Sequence, residues 1–501
     1  MHRLAKWVDE RIDIAGIRKG LIDRKMPGGL TWWHTLGSAT LAVFMVQAIT
    51  GIILGMYYAP SPDHAYDSIR YLEAHVASGA LLRGIHHWGA SVMVVLVVAH
   101  AIRVFSMGAY KYPRELNWLL GVVLLGIVLG FGFTGYLLPW DQKAYWATQV
   151  GTNIAGTTPV IGALLVKLLR GGSQLGVATL TRFYALHVLL LPAMLIGVAA
   201  LHLVMVIRQG IAPRTGVLET GAPEKTDSPA YRSYYDEKYA ASKGAGVRFW
   251  PDIIVKDAVI ATLLVIVIFL LAYFVGAGLE LPADPSDSSY VPRPEWHFLP
   301  FFQLLKLVPG SMESIVAVGV PGALGLALVL LPFYDRKSAR ALRRRPAART
   351  SLFALLGGLG LLMVASMLEP QPNAVAPEVG RVLNSQERAG RALFERQQCG
   401  GCHVVAGKGG AERKGAAKDA PDLTELGLRH SLAWTHSFIE DPSRFHTISK
   451  MPAFGPPVLS HQEIEELSRY LSSLRGKSWA TAKEEFVDTF PEPSKPKEKK
   501  P

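Results

Sequence analysis

Two apolar stretches of this chain each carry a pair of histidines at nearly the same interval: His86 and His100 lie fourteen residues apart, His187 and His202 fifteen. At about 1.5 Å rise per residue, these intervals separate the paired rings by roughly 21 to 23 Å along a helix, which fits a hydrocarbon core ~30 Å thick. At ~100° per residue, fourteen residues stop about 40° short of four full turns and fifteen run about 60° past them, so both rings of a helix point broadly to one side. Ionisable groups at membrane depth are costly and usually functional, and imidazole is an axial ligand of low-spin haem iron. The four histidines are therefore expected to hold two haems, one above the other. His34 and His87 have no partner at this interval.

The rest of the chain agrees with a membrane setting. Half of its 501 residues are hydrophobic, which excludes a purely soluble enzyme and points to a polytopic membrane protein with a soluble appendage. Apolar runs long enough to span occur at about 33–56, 88–107, 117–138, 184–207, 253–275, 314–334 and 351–369. The net charge of +12 is concentrated before the first run, between the second and third, between the fourth and fifth, and between the sixth and seventh, where Arg336, Lys337, Arg340, Arg343, Arg344, Arg345 and Arg349 are densest. These segments share one side of a seven-span chain, and the positive-inside rule makes that side the cytoplasm. The C-terminus is then expected outside a bacterial inner membrane. A basic run between two spans is read as topology and not as a nucleic-acid patch, so no nucleic-acid partner is expected. Residues 1–30 mix charges into a short amphipathic stretch, and insertion is expected to begin with the first span.

Glycines repeat at fourteen-residue intervals in the first and third runs: Gly37 with Gly51, and Gly121 with Gly135. Such glycines serve close helix packing or open gaps for a flat group. With alternating span directions, Gly51 and Gly135 share the outer level with His86 and His187, while Gly37 and Gly121 share the inner level with His100 and His202. Arg83 and Arg103, each three residues from one of the histidines, are candidates to pair with haem propionates or to mark a membrane interface.

The only two cysteines stand in Cys399-Gly400-Gly401-Cys402-His403, the C-x-x-C-H pattern in which thioethers hold a haem and the histidine ligates its iron. Alone, a C-x-x-C pair is also compatible with a redox dithiol or half of a zinc site. Here it follows an expected helix over 387–398 and precedes a second amphipathic helix over 462–474. One methionine follows it, Met451, a natural sixth ligand unless it is core packing. His430, His436, His446 and His461 are weaker rivals. This segment resembles a small class I cytochrome c, a domain expected over 381–478. Residues 371–380 read as a linker and 479–501, rich in Lys, Glu and Pro, as a disordered tail.

The histidine and glycine pairs, Pro113-Arg114-Glu115-Leu116, the stretch 135–142 (Gly-Tyr-Leu-Leu-Pro-Trp-Asp-Gln) and Pro294-Glu295-Trp296 together resemble cytochrome b of the quinol-oxidising cytochrome bc complexes. The resemblance covers about 1–370 and leans toward the photosynthetic branch, whose cytochrome b and three-helix subunit IV are here joined in one chain. It implies an N-terminal four-helix haem-binding domain over 1–215, a cytoplasmic connection over 216–250 and a subunit IV-like domain over 251–370. The fold class is all-α: about seven transmembrane helices, four of them binding two haems, then a small all-α cytochrome c domain. Two departures stand out. The photosynthetic branch carries a cysteine where this chain has Thr35, so no covalent third haem is expected in the membrane. The family's Pro-Glu-Trp-Tyr motif ends here in His297, which puts the tyrosine's role in doubt and a titratable ring near the quinol.

The resemblance implies a quinol–cytochrome c reductase subunit with two non-covalent b haems, one covalent c haem and quinol and quinone as substrates. Glu295, in the apolar company of Pro294, Trp296 and Phe298, is expected to have a raised pKa and to accept a proton from quinol, unless it is an ordinary loop glutamate. The implied partners are a Rieske-type iron–sulfur protein, since no cysteines remain to build that centre, the membrane quinone pool, a cytochrome c or oxidase as acceptor, and a second copy in a homodimer. The competing reading is a membrane cytochrome that conducts electrons between quinone and a periplasmic partner without bifurcation.

Overall fold

A computed structural model describes residues 2–13, 16, 18–280, 282, 283, 285, 290–369, 383–405, 408–410, 420–424, 426–445 and 451–474. It forms two compact units, one made of Met1–Pro139, Trp146–Gly278 and Pro292–Pro370, the other of Trp140–Tyr145, Leu279–Val291 and Gln371–Pro501. The fold is helical. Its named strands, among the described residues, are two antiparallel pairs of two residues each, Lys25–Met26 with Val247–Arg248 and Val404–Val405 with Lys408–Gly409.

Among the described residues, the first unit contains seven helices long and apolar enough to cross a membrane: α1 Trp32–Tyr57, α2 Gly79–Ser106, α3 Glu115–Tyr136, α4 Val177–Gln209, α5 Phe249–Phe274, α6 Met312–Tyr334 and α7 Pro346–Leu368. A helix satisfies its own backbone polar groups, as a lipid environment demands. Hydropathy alone starts the second and fourth spans seven to nine residues late. The missing turns carry Arg83, His86 and His87 in α2 and Arg182 in α4, which lower the apolar average without breaking either helix. Ala39 and Val43 of α1, Met93, Val94 and Leu96 of α2, Ile127 and Val128 of α3, Leu195 of α4 and Ile268 of α5 make one buried core. Both stretches read as separate membrane domains thus share a single core.

The fifteen-residue interval in α4 has a local cause. Around His187 the helix widens over Leu186–Leu190, where the Leu191 N–H donates to the Leu186 carbonyl, one residue beyond the usual partner. Pro192 follows and has no N–H to offer Val188. The wide turn absorbs the extra residue, so His187 and His202 share a face as His86 and His100 do in α2.

At the end of the bundle that carries the 106–112 turn, the basic run is partly interior. The Arg340 guanidinium, 1% exposed, donates to the carbonyls of Gly108 and Tyr112, each at 2.8 Å, and to the Tyr231 hydroxyl at 3.1 Å. Lys111 donates to Asp335 at 2.8 Å and to the Lys337 and Ala339 carbonyls at 2.7 Å each. Arg345 reaches the Tyr110 hydroxyl at 2.9 Å and Asp335 at 3.4 Å. These bonds tie the turn after α2 to the connection between α6 and α7. Residues 216–250 hold the helix Pro229–Gly244, started by the Ser228 hydroxyl accepting from the Tyr231 N–H.

In the second unit, α8 Ser385–Arg396, α9 Leu432–Glu440 and α10 His461–Ser472 surround a core that includes Leu393, Phe394, Ile439, Ile464, Leu467 and Leu471. Reciprocal caps start α8 (Asn384 with Glu387) and α10 (Ser460 with Glu463). Gly390 faces the Glu466 carbonyl so closely that no side chain fits, which lets α8 and α10 cross in contact. The linker 371–380, the tail 479–501 and His446 lie outside the described residues.

Burial raises the Asp335 carboxyl, but Lys111, Tyr110 and Arg345 outweigh it and hold it below the usual aspartate value. Its stabilising contribution is therefore present above the unfolded value of about 3.9 and is lost as pH falls through the depressed folded value. Asp335→Ala takes the carboxylate from Lys111 and Arg345, which keep their carbonyl and hydroxyl partners, and is expected to cost about 2 kcal/mol at neutral pH. Thermal unfolding of the purified protein in detergent checks this.

Candidate functional site

The four histidines come together in two sets at two depths. His86 of α2 and His187 of α4 face each other with ring centroids 6.3 Å apart and planes inclined at 71°. The missing side chains of α1 and α3 make the space for them. A Cβ built on Gly51 would sit 3.1 Å from His86 Cε1, and one on Gly135 only 2.5 Å from His187 Cε1. At the other depth, a Cβ on Gly37 would sit 3.1 Å from His100 Cε1 and one on Gly121 3.7 Å from His202 Cε1. Each glycine thus backs one ring, in the pairing by level that alternating span directions imply.

Side chains absent from the sequence reading complete the first level. The Thr50 hydroxyl lies 2.9 Å from His86 Nδ1 and that of Thr134 lies 3.1 Å from His187 Nδ1. The signal that marks them is a repeated Thr-Gly dipeptide, Thr50-Gly51 and Thr134-Gly135. At the second depth a polar group gathers near the ends of α1 and α5. Ser38 donates to Asp257 at 2.7 Å, Lys256 to the Leu30 carbonyl at 3.4 Å, and His34 Nδ1 bonds Thr31. Lys256 and Asp257, a charged pair inside an apolar run, were its sequence signal.

The two arginines differ. Arg83 gives Nη1 to Glu73 and to the Ala277 carbonyl and Nη2 to the Gly278 carbonyl, so the guanidinium expected to face a propionate is turned to the loop after α5. Arg103 Nε and Nη2 are buried without a hydrogen-bond partner among the described residues. Leaving charged donors unmet costs more than 1 kcal/mol each, and a haem carboxylate would answer both. Glycine gaps, opposed imidazoles and unmet guanidinium donors together fit a haem at each level.

The loop of Pro294, Glu295, Trp296 and His297 leads into the helix Leu299–Lys306. It is pinned from three sides: Tyr136 donates to the Arg293 carbonyl at 3.3 Å, Arg293 bonds the Ser366 carbonyl, and Trp296 Nε1 donates to Ser91 at 3.2 Å. Glu295 is partly exposed. The His297 ring packs on Phe298 at 4.3 Å and against α3, where a Cβ on Gly132 would meet His297 Nε2 at 2.9 Å. Both ring nitrogens are buried without a hydrogen-bond partner among the described residues. Burial lowers its pKa from the usual histidine value while Glu295 pulls it up, and the net lowering leaves the ring uncharged at neutral pH.

In the second unit Cys399–Cys402 form one helical turn and His403 leaves it in extended conformation. His403 Nδ1 lies 2.9 Å from the Pro421 carbonyl. A carbonyl only accepts, so Nδ1 carries the proton and Nε2 keeps the lone pair a metal needs. Met451 and Cys399 pack on the core of this unit. Among the rival ligands, His430 stacks on Trp434 at a centroid distance of 3.4 Å, while His436 and His461 stack on each other at 6.4 Å.

Two outcomes follow. Gly135→Val places a methyl-bearing carbon on the His187 ring and is expected to remove the b-type haem of the His86/His187 level, about half the b-type absorbance, measured by reduced-minus-oxidised difference spectra. Met451→Ala is expected to keep the covalent haem and lower its potential by on the order of 0.1 V, within the ~0.8 V that axial ligands span, measured by redox titration of the c-type band.

Three family models match the chain in series: Cytochrome b/b6/petB over 21–210, Cytochrome b(C-terminal)/b6/petD over 282–383 and Cytochrome c over 387–475. The menaquinol:cytochrome c reductase cytochrome b subunit of Bacillus subtilis is 45% identical over 42% of this chain and 98% of its own. The cytochrome bc complex cytochrome b subunit of Chlorobaculum thiosulfatiphilum is 33% identical over 73% of this chain and 79% of its own. Among solved structures, a chain of a hyperthermophilic respiratory Complex III superposes with a TM-score of 0.62 at 28% identity, covering 73% of this chain and 92% of that one. The chain belongs to the cytochrome b family of cytochrome bc complexes, and carries a cytochrome c domain on the same polypeptide.

Proposed function

We propose that this chain is the cytochrome b and c subunit of a quinol:cytochrome c oxidoreductase that divides the two electrons of a quinol and translocates protons. The observation that carries the reading is the pair of glycine-backed histidine sets at two depths, in the same chain as a C-x-x-C-H segment. Bound there, two b haems supply one-electron carriers at two depths of the membrane and a c haem supplies one outside it, the chemistry a divided oxidation requires.

His86 with His187 hold the outer level and His100 with His202 the inner one. The excess of Lys and Arg in the connections at the His100/His202 end supports a cytoplasmic location for that end and an extracytoplasmic cytochrome c domain. Glu295 takes a proton from the quinol hydroxyl and releases it outward. Arg103 holds a haem carboxylate, and the Ser38, Asp257, Lys256 and His34 group at the inner end is suited to deliver protons to a quinone reduced there. Cys399 and Cys402 form the thioethers of the c haem, and His403 and Met451 ligate its iron. The name of the Bacillus subtilis relative specifies menaquinol, which supports a quinol as the reductant.

The complex is completed by a Rieske-type iron–sulfur subunit, a cytochrome c or oxidase as acceptor, and a second copy of the chain. Charge movement between the two levels against a membrane potential costs about 2.3 kcal/mol per 100 mV, which the drop in potential across the divided oxidation must exceed.

Glu295→Gln keeps the shape of the loop and removes the proton acceptor. Quinol oxidation by the purified complex is expected to fall at least about 100-fold with all haem absorbance retained. Turnover equal to the parent would remove Glu295 from this role. A non-bifurcating conductor is distinguished by the same assay with the inner quinone site inhibited: it would reduce the b haems with quinol when the high-potential acceptor is absent, whereas a bifurcating site requires that acceptor.

A further inference from the structure

Both histidine levels pair two glycine-backed rings, and at one of them each ring also meets a threonine hydroxyl. A threonine hydroxyl has a single hydrogen. Thr50 donates it to the Val46 carbonyl at 2.7 Å and Thr134 to the Gly130 carbonyl at 2.8 Å, each one helical turn back. Both residues are 6% exposed. With that hydrogen on the carbonyl, and with Nε2 the atom that ligates iron, the hydroxyls turn a lone pair toward His86 Nδ1, at 2.9 Å, and His187 Nδ1, at 3.1 Å, and the Phe131 backbone offers His187 a further acceptor. An imidazole nitrogen facing a lone pair must be the one that carries the proton, so Nε2 of both rings is the unprotonated atom.

Each threonine directly precedes the glycine that backs the same ring. The glycine admits the imidazole and the threonine clamps it from the side. The corresponding positions at the other level are Leu36 before Gly37 and Leu120 before Gly121, which offer His100 and His202 no hydroxyl. The difference is thus confined to one level and occurs on both of its ligands.

We propose that Thr50 and Thr134 are positioning residues that fix the tautomer and ring plane of His86 and His187 and lower the one-electron potential of that level. The inference rests on the haem ligation proposed above. A ring that donates through Nδ1 carries more electron density on Nε2, which favours the more highly charged ferric state. The 71° between the ring planes is set by two clamps on two different helices, α1 and α3.

The experiment is a redox titration of b-type absorbance, with low-temperature EPR, on the intact complex carrying Thr50→Val, Thr134→Val or Thr50→Ser. Valine keeps the volume and removes the acceptor; serine keeps the acceptor. Either valine variant is expected to raise the midpoint of one b component, by about threefold in the reduced-to-oxidised ratio or roughly 28 mV at 59 mV per decade. Its EPR anisotropy, which reports the angle between ring planes, is expected to move, with the other b component and the c haem unchanged. Thr50→Ser is expected to match the parent. Loss of one b haem from Thr50→Val but not from Thr50→Ser would also support the clamp. Unchanged potential and EPR with both b haems bound would overturn it, as would serine behaving like valine. A parent complex that binds no b haem contradicts the proposed function itself, an outcome separate from any variant.

Discussion

The close approach of an uncharged imidazole ring to a helix backbone, deep in an apolar bundle, is the constraint on which the rest of this structure depends. A ring can lie this close to a helix only where that helix has no side chain, and Gly37, Gly51 and Gly135 supply three such places, while Gly121 faces its ring at an ordinary contact distance. Their effect is local in sequence and global in consequence. With the rings of α2 and α4 seated against α1 and α3, the four helices must run with a shared register, and the core of Val43, Met93, Ile127 and Leu195 sits between the two levels. A Cβ at Gly135 would meet His187 at 2.5 Å, tighter than any ordinary carbon contact, so the register has little tolerance. The wide turn at Leu186–Leu190 belongs to the same constraint, because without it the fifteen-residue interval would set the two rings about 60° apart around the helix.

Charge plays a different part at the two ends. In the sequence the Arg336–Arg349 run is a topology signal and nothing more. Folded, Arg340 and Arg345 lie inside a network with Tyr110, Lys111, Tyr231 and Asp335, and the polypeptide that joins α6 to α7 is fastened to the turn after α2. The resemblance to a family in which these parts occur as separate subunits gives that network a use, since it holds the third, subunit IV-like portion to the haem-binding portion through backbone carbonyls as well as ion pairs. A buried guanidinium satisfied by two carbonyls and a hydroxyl is directional, and its acceptors come from two parts of the chain, the turn after α2 and Tyr231.

Much of the fold was legible because the strongest signals were periodic. Spans, histidine intervals and glycine intervals all repeat along a helix, and a helix converts interval into face and depth. What interval does not encode is lateral contact. Thr50 and Thr134 carry no ligand signature because they touch the histidine rings from the side, and only the repeated Thr-Gly pair marks them. Arg83 was placed beside a histidine by spacing, but its direction was decided by Glu73 and by carbonyls at 277 and 278, almost two hundred residues away. His297 departs from a motif in the sequence; that both its nitrogens are buried and unmet among the described residues is a property of the fold. The ends of α2 and α4 were set late because an averaged hydropathy treats a buried histidine or arginine as a reason to stop, whereas a helix interior treats it as a side chain to be satisfied.

The central claim is that one polypeptide holds two b haems by four histidines and one c haem by two cysteines. A pyridine haemochrome assay on the purified chain, paired with a denaturing gel stained for covalent haem, tests it most directly. The account predicts two extractable b haems and one covalent c haem per chain. A single b haem would contradict the assignment of the histidine pairs, and a second covalent haem would contradict the attachment chemistry, since Cys399 and Cys402 are the only cysteines in the chain.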